Sequence, residues 1–273
     1  RNVATTVKIE PKFLPDFIGS DIGVNAYLNH SGSGGWISRY SPKNTSCVTG
    51  AREVVLTPRV FKKPLQSCFW RSWVGCNEHH YSPYGMMANC NIIGGALAYQ
   101  TSKAKIAMIG NLVPINNPIR VAEEYAMLDC MTGGRLIAGM MRGIPHEYIA
   151  YNVPPSDSWG RQREAIELII KAWTEPEPFG WEGEHFRFRQ VSIWPKPFQK
   201  PHPPIVLSAT TPDSARFAAQ VRATMGLVLL ADLPGAKEQI RIYREAAREF
   251  GWEPTAENIL IGMHTCIAET DAE

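Results

Sequence analysis

KIAMIGNLV (residues 105–113), PIN (114–116), NPIRVAEEYAMLDCMT (117–132) and the pair Gly133-Gly134 form the stretch that decides the fold class. Residues 105–113 read as a strand. Asn117-Pro118 then supplies an N-cap with proline at the first helical position. Ile119, Ala122 and Ala126 recur at helical spacing and form one apolar face, and Gly133-Gly134 ends the helix. A strand feeding an amphipathic helix is the repeating half of a parallel βαβ unit.

Outward from this stretch the same alternation recurs. Upstream, Trp73 to His80 reads as a strand and Asn89 to Thr101 as a helix, with Ile92, Ile93, Ala96 and Leu97 at helical spacing. Downstream come a strand from Arg135 to Met141 and a helix from about Gly160 to Trp173, with Ile166, Ile169, Ile170 and Trp173 facing inward. The proline-rich stretch from Glu175 to Pro204 breaks the pattern, and His185 to Phe188 with Val191 to Trp194 reads as a small hairpin. Ile205 to Ala209, Met225 to Leu230 and Ile259 to Ile267 are the remaining strands, separated by helices over Pro212 to Val221 and Pro234 to Phe250. About six parallel strands result. They fit a (β/α)₈ barrel missing one strand at each end, or an open doubly wound sheet. Residues 1–70 show no clean strand-helix pair, and clusters such as Ser31-Gly32-Ser33-Gly34-Gly35 read as loop; they stay unassigned, and residues 71–273 are taken as one domain.

Composition narrows the function classes. The 273 residues carry 28 basic and 26 acidic side chains scattered along the chain, so no basic stripe for nucleic acid stands out. Six cysteines form no CxxC pair, and Cys76 and Cys130 lie in apolar patterns. They read as reduced core thiols of a cytoplasmic protein. No apolar run of signal-peptide or membrane-spanning type is present, so neither export nor membrane insertion is expected.

Polar, proton-handling groups gather where strands end. Asn77-Glu78-His79-His80-Tyr81 closes one apolar run. Strand alternation places Asn77 with His79 and Glu78 with His80, so the two histidines are expected to do different jobs. The plain alternative is a pair of histidines satisfied by ordinary hydrogen bonds. Arg142 follows another strand and presents a fork suited to phosphate, although a surface arginine paired with a carboxylate explains it equally well. In Ser208 to Ser214, Thr211 can cap a helix with Pro212 at its first position, leaving amides for an anion that Asp213 would repel. A metal site has no support, because adjacent histidines on a strand diverge and no HExxH or Cys/His spacing occurs. GxSxG, Walker A and GxGxxG motifs are also absent.

Taken together, these segments resemble the bacterial luciferase-like class of flavin-dependent oxidoreductases, whose alkanal monooxygenases are the familiar members. The resemblance runs through Asn77-Glu78-His79-His80, Gly110-Asn111-Leu112, Asn117-Pro118, Val121-Ala122-Glu123-Glu124, Leu128-Asp129, Gly133 to Gly139 and Arg142-Gly143, and spans roughly residues 72–270. It implies a (β/α)₈ barrel that binds reduced FMN at the carboxyl ends of its strands and uses dioxygen to oxygenate a small organic substrate. It further implies a separate flavin reductase as partner and a homo- or heterodimer. By motif, His79 is similar to the family's catalytic histidine, and Glu78 and His80 to the groups that support it. Arg142 and Arg161 resemble the phosphate-binding arginines, Thr211 and Ser214 the helix start that receives the same phosphate, and Ile109 and Gly110 the strand end against the flavin ring. Two rivals stay open: a deazaflavin-dependent hydride-transfer enzyme and a non-catalytic partner subunit. Met141 stands where some luciferase subunits carry cysteine, and neither a first nor an eighth barrel strand is readable. A truncated chain with exposed sheet edges, prone to aggregate, is the expectation that follows.

Overall fold

The computed structural model describes residues 73–81, 87–227 and 233–262, so the irregular reading of residues 1–70 lies outside it. The elements are β1 (Trp73–Cys76), α1 (Cys90–Gln100), β2 (Lys105–Leu112), α2 (Pro118–Thr132), β3 (Leu136–Met141), α3 (Pro145–Ala150), α4 (Ser158–Thr174), β4 (Phe179–Glu182), β5 (Arg187–Val191), β6 (Ile205–Ser208), α5 (Pro212–Gln220), β7 (Thr224–Leu227), α6 (Leu233–Glu249) and β8 (Ile259–Ile261). Among the described residues, no helix is long and apolar enough to cross a membrane.

Six strands form one sheet in the order β1-β2-β3-β6-β7-β8, with every neighbouring pair parallel. Spatial order equals chain order. A doubly wound sheet must reverse direction at a switch point, and none occurs, so this is an arc of a singly wound barrel. Alternate residues of each strand face opposite ways. Ile106, Met108, Leu136, Met140, Leu207, Met225 and Ile259 join the core cluster that contains helical Leu97, Val121, Tyr125, Ile166, Ile169 and Tyr243. Ala107, Ile109, Val206 and Leu260 form a second cluster with Trp73, Ile137 and Met141. A strand apolar on both faces reads as a continuous hydrophobic run, which is what residues 105–113 show.

The caps fall where the side-chain chemistry places them. Asn89 Oδ1 accepts from the N–H groups of Asn91 and Ile92, at 2.9 and 3.3 Å, and opens α1. Asn117 does the same for α2, with Pro118 in the first turn and Gly133 ending the helix at φ 62°. Ile119, Ala122 and Ala126 lie on the inner side of α2 as expected. On α1 the expectation fails in part: Leu97 is buried as expected, but Ile92 and Ala96 are exposed, and Cys90, Asn91, Gly94 and Ala98 are buried in their place. Cys130, expected in the core, is exposed.

Three elements also differ from the sequence reading. β1 stops at Cys76, because the backbone N–H of His79 bonds the carbonyl of Met87 at 3.1 Å and that of His80 bonds a carboxylate, in place of ladder partners. The hairpin exists but pairs Phe179–Glu182 with Arg187–Val191. The expected strand start at His185 is its turn, where Glu164 accepts from the N–H groups of His185 and Phe186 and from the indole of Trp181. Helix α3 has no counterpart in the sequence reading, since six residues are too few to show a periodicity.

Between β2 and β3 the register shifts: Met108 pairs with Ala138 but Asn111 with Met140, so Ile109 and Gly110 together oppose Gly139. This is a β-bulge, which redirects a strand end. The backbones approach so closely that a Cβ at Gly139 would overlap the carbonyl oxygen of Met108, and one at Gly110 that of Gly139. Buried Tyr125 from α2 closes the bulge: its hydroxyl donates to the Gly139 carbonyl and accepts from the Asn111 N–H at 3.3 Å. Burial pushes that phenol's pKa well above the ordinary tyrosine value. Gly139→Ala should therefore destabilise the protein by about 1–3 kcal/mol through overpacking. Gly95→Ala, on α1 with no atom near the added methyl, should stabilise it by up to about 1 kcal/mol. Chemical unfolding midpoints of the two variants check both signs.

Candidate active site

Residues 77–80 leave the sheet where its strands end, and the side chains of His79 and His80 meet two buried carboxylates. The first is Glu78. Its Oε1 accepts from His80 Nε2 at 3.0 Å, from the backbone N–H of Leu112 at 3.2 Å and from Asn116 Nδ2 at 3.0 Å, while Cys90 Sγ lies 3.8 Å from Oε2. One side chain thus ties the end of β1 to the end of β2. Burial and the Glu78 charge push the Cys90 thiol well above its usual pKa, which keeps it protonated and inert. His80 is buried, and its Nδ1 meets the hydroxyl of Tyr151 at 2.9 Å with the rings edge to face.

The second carboxylate is Glu147, on α3. Its Oε1 lies 3.0 Å from His79 Nδ1 and accepts from the His80 N–H at 3.1 Å, and its Oε2 accepts from the Ile144 N–H at 2.8 Å. Burial alone would raise the pKa of this carboxyl; the hydrogen bonds from His79 and from the two backbone amides outweigh burial and hold it below the usual carboxylate value. Glu78 and His80 do meet each other, while His79 turns to Glu147, so the two histidines have different partners as expected, although residues 77–80 lie past the end of β1 rather than on it. Glu147 and Tyr151 were not anticipated. Pro145 followed two residues later by Glu147 is a helix-start pattern that could have pointed to α3.

The cationic groups lie at the same end of the sheet. Arg142 follows β3, donates to Ser158 Oγ at 3.2 Å and stacks over the Trp159 ring at 4.4 Å. Arg161, in the first turns of α4, donates its Nε–H to the Pro114 carbonyl at 2.7 Å and lies over the Phe186 ring. Both are partly buried, and among the described residues neither is paired with a carboxylate, whereas Arg120, Arg163, Arg216, Arg241 and Arg248 all are. Arg135, also partly buried, sits before β3 and donates to the carbonyls of Ala98, Thr101, Ala104 and Thr132, so its job is structural.

At the start of α5, Thr211 and Ser214 cap each other: the Ser214 N–H donates to Thr211 Oγ1 at 3.3 Å, and the Thr211 N–H to Ser214 Oγ at 2.9 Å. Asp213 is ion-paired with Arg163, so α4 and α5 are joined at this end and the repulsion expected from Asp213 is offset. Ile109 and Gly110 occupy the bulge at the end of β2.

Comparison with known proteins identifies the family and the fold. Residues 71–273 match the model of the luciferase-like monooxygenases. The chain is 27% identical to an alkanal monooxygenase alpha chain of Photorhabdus luminescens, over 64% of this chain and 48% of that protein. It is 28% identical to the oxygenase component of a flavin-dependent trigonelline monooxygenase of Acinetobacter baylyi, over 74% of this chain and 56% of the other. The crystal structure of the monooxygenase RslO1 from Streptomyces bottropensis superposes with a TM-score of 0.66 and 31% identity, covering 70% of this chain and 59% of that one. The chain spans about half the length of the curated relatives it matches. A six-stranded parallel arc in chain order, together with a family match over residues 71–273, places this chain in the luciferase-like monooxygenase family.

Proposed function

We propose that the protein is the oxygenating component of a flavin-dependent monooxygenase that uses reduced FMN and dioxygen to oxygenate a small organic substrate, with the flavin delivered by a separate reductase. The observation that carries this reading is the pair Arg142 and Arg161, partly buried at the carboxyl ends of the strands with no carboxylate to neutralise them among the described residues. A partly desolvated guanidinium without an anion is destabilised unless a ligand provides one, and a phosphate matches its fork. The amino-terminal turn of α5 adds backbone N–H groups to the same charge, with Thr211 and Ser214 shaping the turn. The tight backbone at Gly110 and Gly139 suits the approach of a flat ring, since a side chain there would fill the space. A relative described as an oxygenase component supports the reductase partner.

When bound, reduced FMN supplies the electrons that activate dioxygen. The chain's residues have the remaining tasks. Arg142 and Arg161 hold the phosphate. His79, partly exposed beside the strand ends, gives or takes a proton near the reacting atoms, as an imidazole does at neutral pH. Glu78 and His80, buried and bonded to each other, hold the ends of β1 and β2 in place. Hydride transfer by a deazaflavin is the competing chemistry for the same phosphate-binding groups, and retention of His79 with both arginines argues against a non-catalytic subunit.

Anaerobic titration should show reduced FMN binding to the parent and roughly ten- to hundred-fold weaker binding to Arg142→Ala or Arg161→Ala, the loss of one charge-assisted hydrogen bond. Equal affinities would remove the phosphate assignment, and tighter binding of a reduced deazaflavin would transfer the reading to hydride transfer.

His79→Ala should leave flavin affinity nearly intact and lower turnover by about 10²- to 10⁴-fold. Formation of oxygenated product in the presence of reductase and substrate measures this, and unchanged turnover would make His79 a structural residue.

A further inference from the structure

We propose that Glu147 is the positioning residue of His79: it holds the imidazole with its proton on Nδ1 and its lone pair on Nε2, while Glu78 holds the adjacent His80 in the opposite tautomer.

The assignment follows from counting donors. Oε1 and Oε2 of Glu147 accept from the N–H groups of His80 and Ile144, and a backbone N–H can only donate. Both oxygens are therefore acceptors, and hydrogen bonding to them outweighs burial and holds the carboxyl below its usual pKa. The group is then the carboxylate, which can only accept, so the third contact, His79 Nδ1 at 3.0 Å, is a donor. At His80 the logic runs to the other nitrogen. Glu78 Oε1 already accepts from the N–H of Leu112 and from Asn116 Nδ2, so His80 Nε2 donates to it. His80 Nδ1 is left to accept from the hydroxyl of Tyr151 at 2.9 Å. Which ring nitrogen carries the proton is set by the partner of the other, and here two neighbouring imidazoles are set in opposite senses by two buried glutamates.

The consequence concerns division of labour. His80 is buried, with both nitrogens engaged among Glu78 and Tyr151, and acts as structural cross-bracing. His79 is partly exposed and, in the assigned tautomer, can take a proton only at Nε2. Glu147 then faces the imidazolium that forms and stabilises it without moving. Glu147 lies 68 residues from His79 and is itself fixed by the first turn of α3, so the folding of the segment after β3 over the end of β1 is what makes His79 a directed base. This catalytic consequence rests on the role proposed above for His79; the tautomer assignment does not.

The test is a long-range ¹H–¹⁵N correlation spectrum of the ¹⁵N-histidine-labelled chain, without cofactor, at a pH of about 8.5 where ordinary imidazoles are neutral. His79→Gln and His80→Gln identify the two rings. The expected pattern is a protonated Nδ1 with an unprotonated Nε2 for His79, and the reverse for His80. In Glu147→Ala the His79 signals should move to values averaged between tautomers while the His80 ring keeps its pattern, and Glu147→Gln, which retains an acceptor oxygen, should restore the parent pattern at His79. A parent His79 protonated on Nε2 overturns the proposal whether or not any variant folds, and so does an unchanged His79 pattern in a folded Glu147→Ala. In turnover assays Glu147→Ala should cost about tenfold or more in the parent and little in a His79→Ala background. Additive losses would overturn the positioning role. A confirmed tautomer pattern combined with a His79→Ala enzyme of full activity would instead retain Glu147 as the determinant of the tautomer and remove only the proposed function of His79.

Discussion

A buried carboxylate must be surrounded by donors, and the arrangement of this site depends on how Glu78 meets that requirement. Its oxygen gathers His80 from the segment after β1, the Leu112 amide from the end of β2 and Asn116 from the loop beyond. Left unpaired, such a charge would be strongly destabilising, so the three donors and the carboxylate hold one another in a single geometry. The ends of β1 and β2 are fixed relative to each other, and His79, lying between Glu78 and His80 in the chain, is carried into position. Glu147 repeats the device from the far side, using α3 to seat a second carboxylate against the same tetrapeptide.

The bulge in β2 works with these carboxylates. Gly110 and Gly139 bring two backbones closer than any side chain would allow, and Tyr125 satisfies polar groups that the register shift removes from the ladder. Because Asn111 follows Gly110 and bonds Asn91 at 2.9 Å, the bulge also anchors α1, whose Asn91 reaches Glu124 on α2 at 2.7 Å. The strand ends are therefore held from the sheet, from both flanking helices and from α3. That over-determination suits a site whose groups must stay in place while a ligand enters.

Location separates the arginines more clearly than residue type does. Arg135, before β3, spends its donors on four backbone carbonyls and needs no ligand. Arg142, after the same strand, makes one hydrogen bond to a serine and stacks on an aromatic ring. In a parallel sheet the amino termini of the following helices point toward the carboxyl ends of the strands, so the anion-attracting ends of those helices and the incompletely satisfied arginines share one edge. Arg163, also half-buried, is matched by Asp213.

The chain's own pattern determined the alternation of strands and helices, the caps at Asn117 and Thr211, the stop at Gly133, and the grouping of Glu78, His79 and His80 at a strand end. These signals act within a few residues, through periodicity, side-chain capping and the conformational freedom of glycine, and so they survive in a linear string. They placed the hairpin but missed its register, because Phe179 and Trp181 lie among prolines and the turn at His185 is held by Glu164 from a distant helix. Only the tertiary structure decided between an arc of a barrel and a doubly wound sheet, since strand order is a relation among segments far apart in the chain. Only it brought Glu147 and Tyr151 to the two histidines, across 68 and 71 residues, and showed Arg142 and Arg161 without carboxylate partners among the described residues. The physical reason is the same in each case: hydrogen bonds and ion pairs depend on where folded backbones cross, and a side chain's identity says what it can bond to without saying what will be there.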